Sequence, residues 1–96
     1  MVRRNWRLEA FEERLDAWIA LEEPDDDLRL EVTAWVLTRF SSPYTGVRRA
    51  QGFDNLWFGA VPHSEVRGEV VTCSYWIFER EALLRCDSIA TLSLPI

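Results

Sequence analysis

All eleven basic side chains of this 96-residue chain are arginines, and two of them stand side by side at Arg48-Arg49. Tyr44 and Phe53 flank that pair at short range. A guanidinium donates forked hydrogen bonds to phosphate or carboxylate and also lies flat on aromatic rings. Tyr44, Arg48, Arg49 and Phe53 are therefore the candidate binding set, suited to an RNA, a phosphate or a partner protein. The charge balance singles out the same stretch. Residues 41–68 carry three arginines against two acids, whereas 1–40 carry six against ten and 69–96 two against four. Two readings compete with a contact role: solvated loop arginines, or ion-pair partners for the acidic run Glu22–Asp27.

Groups able to do acid–base or nucleophilic chemistry are few. His63 is the single histidine, next to Ser64 and Glu65 in an expected polar turn after Pro62. A Ser-His-acid triad is a matter of geometry, so adjacency in sequence does not make one. No GxSxG motif and no phosphate-binding glycine loop is present. Cys73 and Cys86 lack the close spacing of zinc-binding cysteines, so no metal and no cofactor is expected. As residues of a reducing compartment the two are expected to be thiols, small and buried. The alternatives are a redox or structural disulfide, or a metal site with His63 as third ligand.

These groups need elements to hold them. Leu8, Phe11, Leu15, Trp18 and Ile19 recur at helical spacing, which predicts a first amphipathic helix over about 5–21. Pro24 and the acids of Glu22–Asp27 suit the first turn of a second helix, over about 24–40. Leu28, Leu30, Val32, Ala34, Trp35, Val36, Leu37 and Phe40 make that helix apolar on nearly all sides. The spacing places it centrally, between the first helix and a sheet. The acidic run reads as a solvated helix start or as a contact for a basic partner protein.

Three strands are expected, at about 56–61, 70–78 and 83–92, the last two joined around Glu79-Arg80. With the turn centred there, Cys73 faces Cys86, Tyr75 faces Leu84 and Ile77 faces Ala82. Facing Cβ atoms in such a pair are about 4.5–5.5 Å apart. The other face pairs Thr72 with Asp87, Ser74 with Arg85 and Trp76 with Leu83. The first face is then apolar and the second mixed, as for a sheet buried on one side. The fold class is α+β, two N-terminal helices packed on a C-terminal three-stranded antiparallel sheet, in a single domain spanning 1–96.

Composition bounds the function. A formal charge of −5 argues against a protein that grips nucleic acid by neutralising phosphates. No apolar run approaches the ~20 residues that cross a bilayer. The start, Met1 to Trp6, is charged and leads into the amphipathic stretch rather than an apolar leader core, which makes the cytoplasm the expected location. The exclusive use of arginine fits a GC-rich genome.

The order of elements resembles the RelE/ParE superfamily of small bacterial toxins. The resemblance rests on Thr45-Gly46-Val47-Arg48-Arg49 through Asn55-Leu56-Trp57-Phe58, then Val70-Val71-Thr72-Cys73-Ser74-Tyr75, and covers residues 5–92 in architecture. It implies a bacterial or phage-encoded protein that binds a cognate antitoxin or a host protein, or else an mRNA-cutting toxin. For the latter, His63, Arg48, Arg49 and Arg85 are the candidate catalytic residues. The sequence departs from the cutting members: it is acidic, it has Gly59 and Ala60 where a strand arginine would stand, and Ser93–Ile96 supply no catalytic group. A binding protein rather than an enzyme is the reading this favours. A homo-oligomeric structural subunit, joined through the Trp76, Phe78 and Leu83 side of the hairpin, is the third.

Overall fold

Asp25 opens the longer of two helices by accepting a hydrogen bond from the Leu28 amide on its side chain (2.9 Å), with Asp26 and Asp27 in the first turn. Asp25–Asp27 are thus a capped helix start, their carboxylates set against the exposed N–H end of the helix, whereas Glu22 and Glu23 close the helix before it. The structure, a computed structural model, describes residues 5–94. Met1 to Arg4 of the charged start, and Pro95 and Ile96, lie outside the described residues.

In chain order the elements are β1 (Arg7–Glu9), α1 (Phe11–Glu22), α2 (Asp26–Thr38), β2 (Arg48–Arg49), β3 (Leu56–Ala60), β4 (Glu69–Phe78) and β5 (Leu83–Ser93). The class is α+β. The sheet, however, has five strands rather than three, in the order β1-β5-β4-β3-β2, and a strand precedes the helices. Both extra strands are short edges. Residues 7–9 leave the expected first helix because Ala10 takes a left-handed conformation (φ 65°). The Arg7 amide then bonds the Ala82 carbonyl and β1 runs parallel to β5. Trp6 inward, Arg7 outward, Leu8 partly buried and Glu9 outward is a strand alternation that the helical spacing of Leu8 and Phe11 conceals.

The β4–β5 hairpin sorts its faces as expected but with different partners. Its loop is the four residues Glu79–Ala82, so Tyr75 faces Cys86 and Ile77 faces Leu84. A bulge then leaves Asp87 without a partner, and Cys73 faces Ile89, not Cys86. The extra residue inverts the alternation, which is how Cys86 and Ile89, three apart, both point into the core. Both cysteines are free thiols. They are diagonal neighbours in hydrogen-bond contact, which, with burial, pushes the Cys73 thiol well above the ordinary value of 9.0.

One face of the sheet carries the helices. Val71, Cys73, Tyr75, Ile77, Leu84, Cys86 and Ile89 meet Phe11, Trp18, Val32, Trp35 and Val36. Each such apolar side chain contributes about 1.5–3 kcal/mol on burial. Trp18 adds a hydrogen bond from its Nε1 to Thr91 on β5 (2.9 Å). The expectation for α2 needs correction: only the stripe through Val32, Trp35 and Val36 is buried, whereas Leu30 and Leu37 face solvent.

Arg39, at the end of α2, is 2% exposed. It donates to the Thr45 carbonyl (2.7 Å), the Tyr75 hydroxyl (3.1 Å) and Thr38 Oγ1 (2.9 Å), and lies 4.2 Å from the Trp35 ring centroid. Gly59 makes room beside it, since a Cβ there would stand 2.5 Å from the Gly46 carbonyl oxygen. The Gly59 position is thereby a packing requirement.

Replacing Arg39 with Ala should cost about 3 kcal/mol, because lost packing adds to unpaired buried acceptors. Arg39→Lys should recover only part of it, lacking the fork. Urea denaturation measures both. Burial also raises the Tyr75 hydroxyl, against the opposing pull of Arg39. With both acids raised, the folded state keeps protons that the unfolded chain releases. Stability should therefore be complete below about pH 8.5, the unfolded thiol range, and fall as pH rises above it. Melting temperatures between pH 7 and 10.5 check this, and Cys73→Ala should flatten the decline.

Candidate functional site

The face of the sheet away from the helices gathers most of the chemistry. Strand alternation puts Leu56 and Phe58 of β3, Ser74, Trp76 and Phe78 of β4, and Arg85 of β5 on it, with Arg48 from β2 and Glu9 from β1. Two guanidiniums are held against rings there. Arg48 lies 5.1 Å from the Phe58 centroid, and Arg85 5.1 Å from that of Phe78. Phe53 meets Trp76 edge to face at 5.7 Å. Arg85 Nε also donates to Glu9 Oε1 at 2.7 Å, with about half of each side chain exposed.

The expected binding set is divided by this alternation. Arg48 and Phe53 reach the open face. Arg49 pairs with Trp57 and so points to the helix side, where the Tyr44 ring packs edge-on against Trp57 at 5.0 Å. The Tyr44 hydroxyl donates to Glu79. Adjacent arginines in a strand cannot share a face, and the pair looked like one patch only because β2 was expected to be loop.

The expected catalytic set is divided as well. Arg48 and Arg85 share the open face, three strand spacings and one row apart, about 15 Å. His63 is exposed in the β3–β4 connection, in a left-handed conformation (φ 63°). Its neighbour Ser64 is buried, donating to the Val61 carbonyl (2.7 Å) and accepting from the Val71 amide (3.0 Å). That hydroxyl is committed to the backbone and offers no nucleophile. Among the described residues no group of three or more His, Cys, Asp and Glu side chains is arranged to hold a metal ion.

Glu9 and Phe58 are the members of the open face that the sequence reading missed. Glu9 was absorbed into the expected helix. Phe58 was within an expected strand, and its alternation with Trp57 carried the signal. The face can stack planar groups on Phe58, Phe53 and Trp76 and donate from Arg48 to an acceptor nearby. At its far side the Glu9–Arg85 pair joins a carboxylate to a cation.

No family model and no curated protein matches the sequence. Solved structures match in shape, and two of them are RelE toxins. One is the isolated RelE toxin of E. coli, with TM-score 0.63 and 13% identity, over 95% of this chain and 86% of that one. The other is an arginine-to-alanine mutant of E. coli RelE in the free state, with TM-score 0.60 and 12% identity, over 90% and 82%. The fold is that of RelE. At such identity a RelE-like fold transfers no residue roles, which have to come from the face itself.

The Glu9–Arg85 bond is half exposed, so it should add less than about 1 kcal/mol to stability. Glu9→Gln and Arg85→Ala should each leave the denaturation midpoint nearly unchanged in urea. A functional change in either variant then reports on the face and not on folding.

Proposed function

We propose that this RelE-like chain is a toxin-like protein that acts by binding a macromolecule of its host, with the open face of the sheet as its contact surface. The observation that carries the reading is the set of ring-supported groups there, Arg48 on Phe58 and Phe53 on Trp76. Aromatic and arginine side chains anchored in this way form the energetic centres of protein interfaces. A protein partner is favoured over nucleic acid by the net charge of −5. A cognate antitoxin would be a second partner, and the cytoplasm the place of action.

A second reading is the ribonuclease toxin, favoured by one observation: Glu9 and Arg85 form a carboxylate–guanidinium pair on the open face. Glu9 could accept the proton of an attacking ribose hydroxyl while Arg85 stabilises charge on the phosphate. His63 and Arg49 have no part in this version.

Controlled expression in a bacterial host separates the two. Growth arrest that persists in Glu9→Gln but disappears in the Arg48→Glu/Trp76→Ala double variant, with that variant still folded by circular dichroism, supports binding. Loss of arrest in Glu9→Gln, with transcripts left uncut, supports the ribonuclease. Absence of arrest at high soluble expression counts against both. Light scattering at two concentrations tests the remaining alternative, a homo-oligomer joined through Trp76 and Phe78.

A further inference from the structure

Among the described residues the helical layer has its own exposed apolar surface, on the side of the molecule opposite the open sheet face. Along α2, Leu30, Thr33 and Leu37 recur at i, i+3 and i+7, a second stripe distinct from the buried one, and Phe40 in the turn after the helix extends it. Leu30 is 68% exposed, Leu37 56% and Phe40 45%. Across from them stand Leu15 and Ile19 of α1. Two hollows, of about 310 and 420 Å³, lie along the helices and adjoin at Thr33, which lines both, and together they form the groove considered below. Apolar side chains this exposed and this contiguous mark contact surfaces.

The charge around the groove says what kind of partner fits. Residues 11–38, the two helices and their connection, hold nine acids against two arginines, whereas the rest of the chain holds nine arginines against seven acids. Glu12 and Glu13 line one end of the groove and Asp26 the other, and among the described residues Arg29 is the one cation on the wall. A second copy seated helix layer to helix layer would bring two strongly acidic surfaces together. A basic segment would complement them.

The walls also restrict the backbone of the occupant. Both flanks are helices whose main-chain groups bond internally, so they offer no edge to an incoming strand. A segment lying there must satisfy its own backbone, as a helix does. At about 1.5 Å per residue, flanks of 12 and 13 residues are roughly 18–20 Å long, enough for three to four turns.

We propose that the α1–α2 groove docks a basic amphipathic helix of a partner protein, with apolar residues at i, i+4 and i+7 seated against Leu30, Leu37 and Phe40 and arginines or lysines facing the acidic rim. This site is separate from the open sheet face and does not depend on the function assigned to it.

The test uses the full chain and three synthetic 15-residue peptides followed by fluorescence anisotropy and backbone amide shifts. The first carries leucines at i, i+4 and i+7 with arginine flanks, the second has glutamate flanks, and the third keeps the arginines but scrambles the leucines. The first should bind and shift amides along the groove, at least tenfold more tightly than either other peptide. Leu37→Asp should abolish that binding, and Glu12→Arg/Glu13→Arg should weaken it about fivefold or more. Both changes are at exposed positions, and unchanged melting curves would confirm folding. Equal binding of the scrambled peptide, or full binding by Leu37→Asp, would overturn the proposal. So would a concentration-dependent dimer, in sedimentation, that Leu37→Asp dissociates, since a second copy would then be the occupant.

Discussion

A buried guanidinium holds this fold in its working shape. Arg39 ends α2 inside the protein, and among the described residues its partners are neutral: two hydroxyls, a carbonyl and the Trp35 ring. Burying an unpaired cation is costly unless its donors are satisfied in place. Here satisfaction requires three separate pieces of chain to converge: the helix end through Thr38, the following loop through Thr45, and the central strand through Tyr75. Tyr75 in turn donates to the Pro43 carbonyl, so the same cluster holds the loop at two points. That loop leads directly into β2. The absence of a side chain at Gly59 lets it approach the sheet. Arg48 therefore arrives on the open face because Arg39 is fixed on the other.

Much of this architecture could be read from residue patterns, and the failures have definite causes. The apolar face of the hairpin is visible in Val71, Cys73, Tyr75 and Ile77, since a two-residue period survives any even shift of register. The pairing itself is invisible to that pattern. A four-residue loop moved every partner by two without disturbing the faces, and the bulge at Asp87 then reversed the alternation once. Neither Glu79–Ala82 nor Asp87 carries a residue type that announces this. The edge strands were missed for another reason: β1 and β2 have only three and two residues, and their pairing is decided by the strands they join. Propensity has little to act on at that length.

The same limits explain what happened to the candidate residues. Proximity in sequence grouped Tyr44, Arg48, Arg49 and Phe53, and strand geometry separated them into two pairs on opposite faces. It also joined Glu9 to Arg85, 76 positions away. The open face was hinted at in composition, by the positive balance of residues 41–68, but was not legible as an arrangement. Leu30 and Leu37 show the converse. The apolar character of α2 suggested a helix buried all round, yet one stripe meets the sheet and the other is exposed among the described residues. An amphipathic pattern says that a face is apolar; what covers it is decided by tertiary packing.

Charge separation between the two layers bears on how the molecule works. Among the described residues the helices and their connection hold nine acids against two arginines and the remainder is balanced, so an anionic polymer is repelled more strongly from the helical side. On the open face Arg48 and Arg85 are about 15 Å apart, each lying against its own ring. In that arrangement they cannot clamp one phosphate together, and Arg85 is already engaged by Glu9. A cutting site concentrates its charges on a single reacting centre, because stabilisation of developing charge falls with distance. A recognition surface spreads its anchors, so that each contributes to a wide contact. The two ring-supported arginines are spread across the open face rather than gathered on one centre.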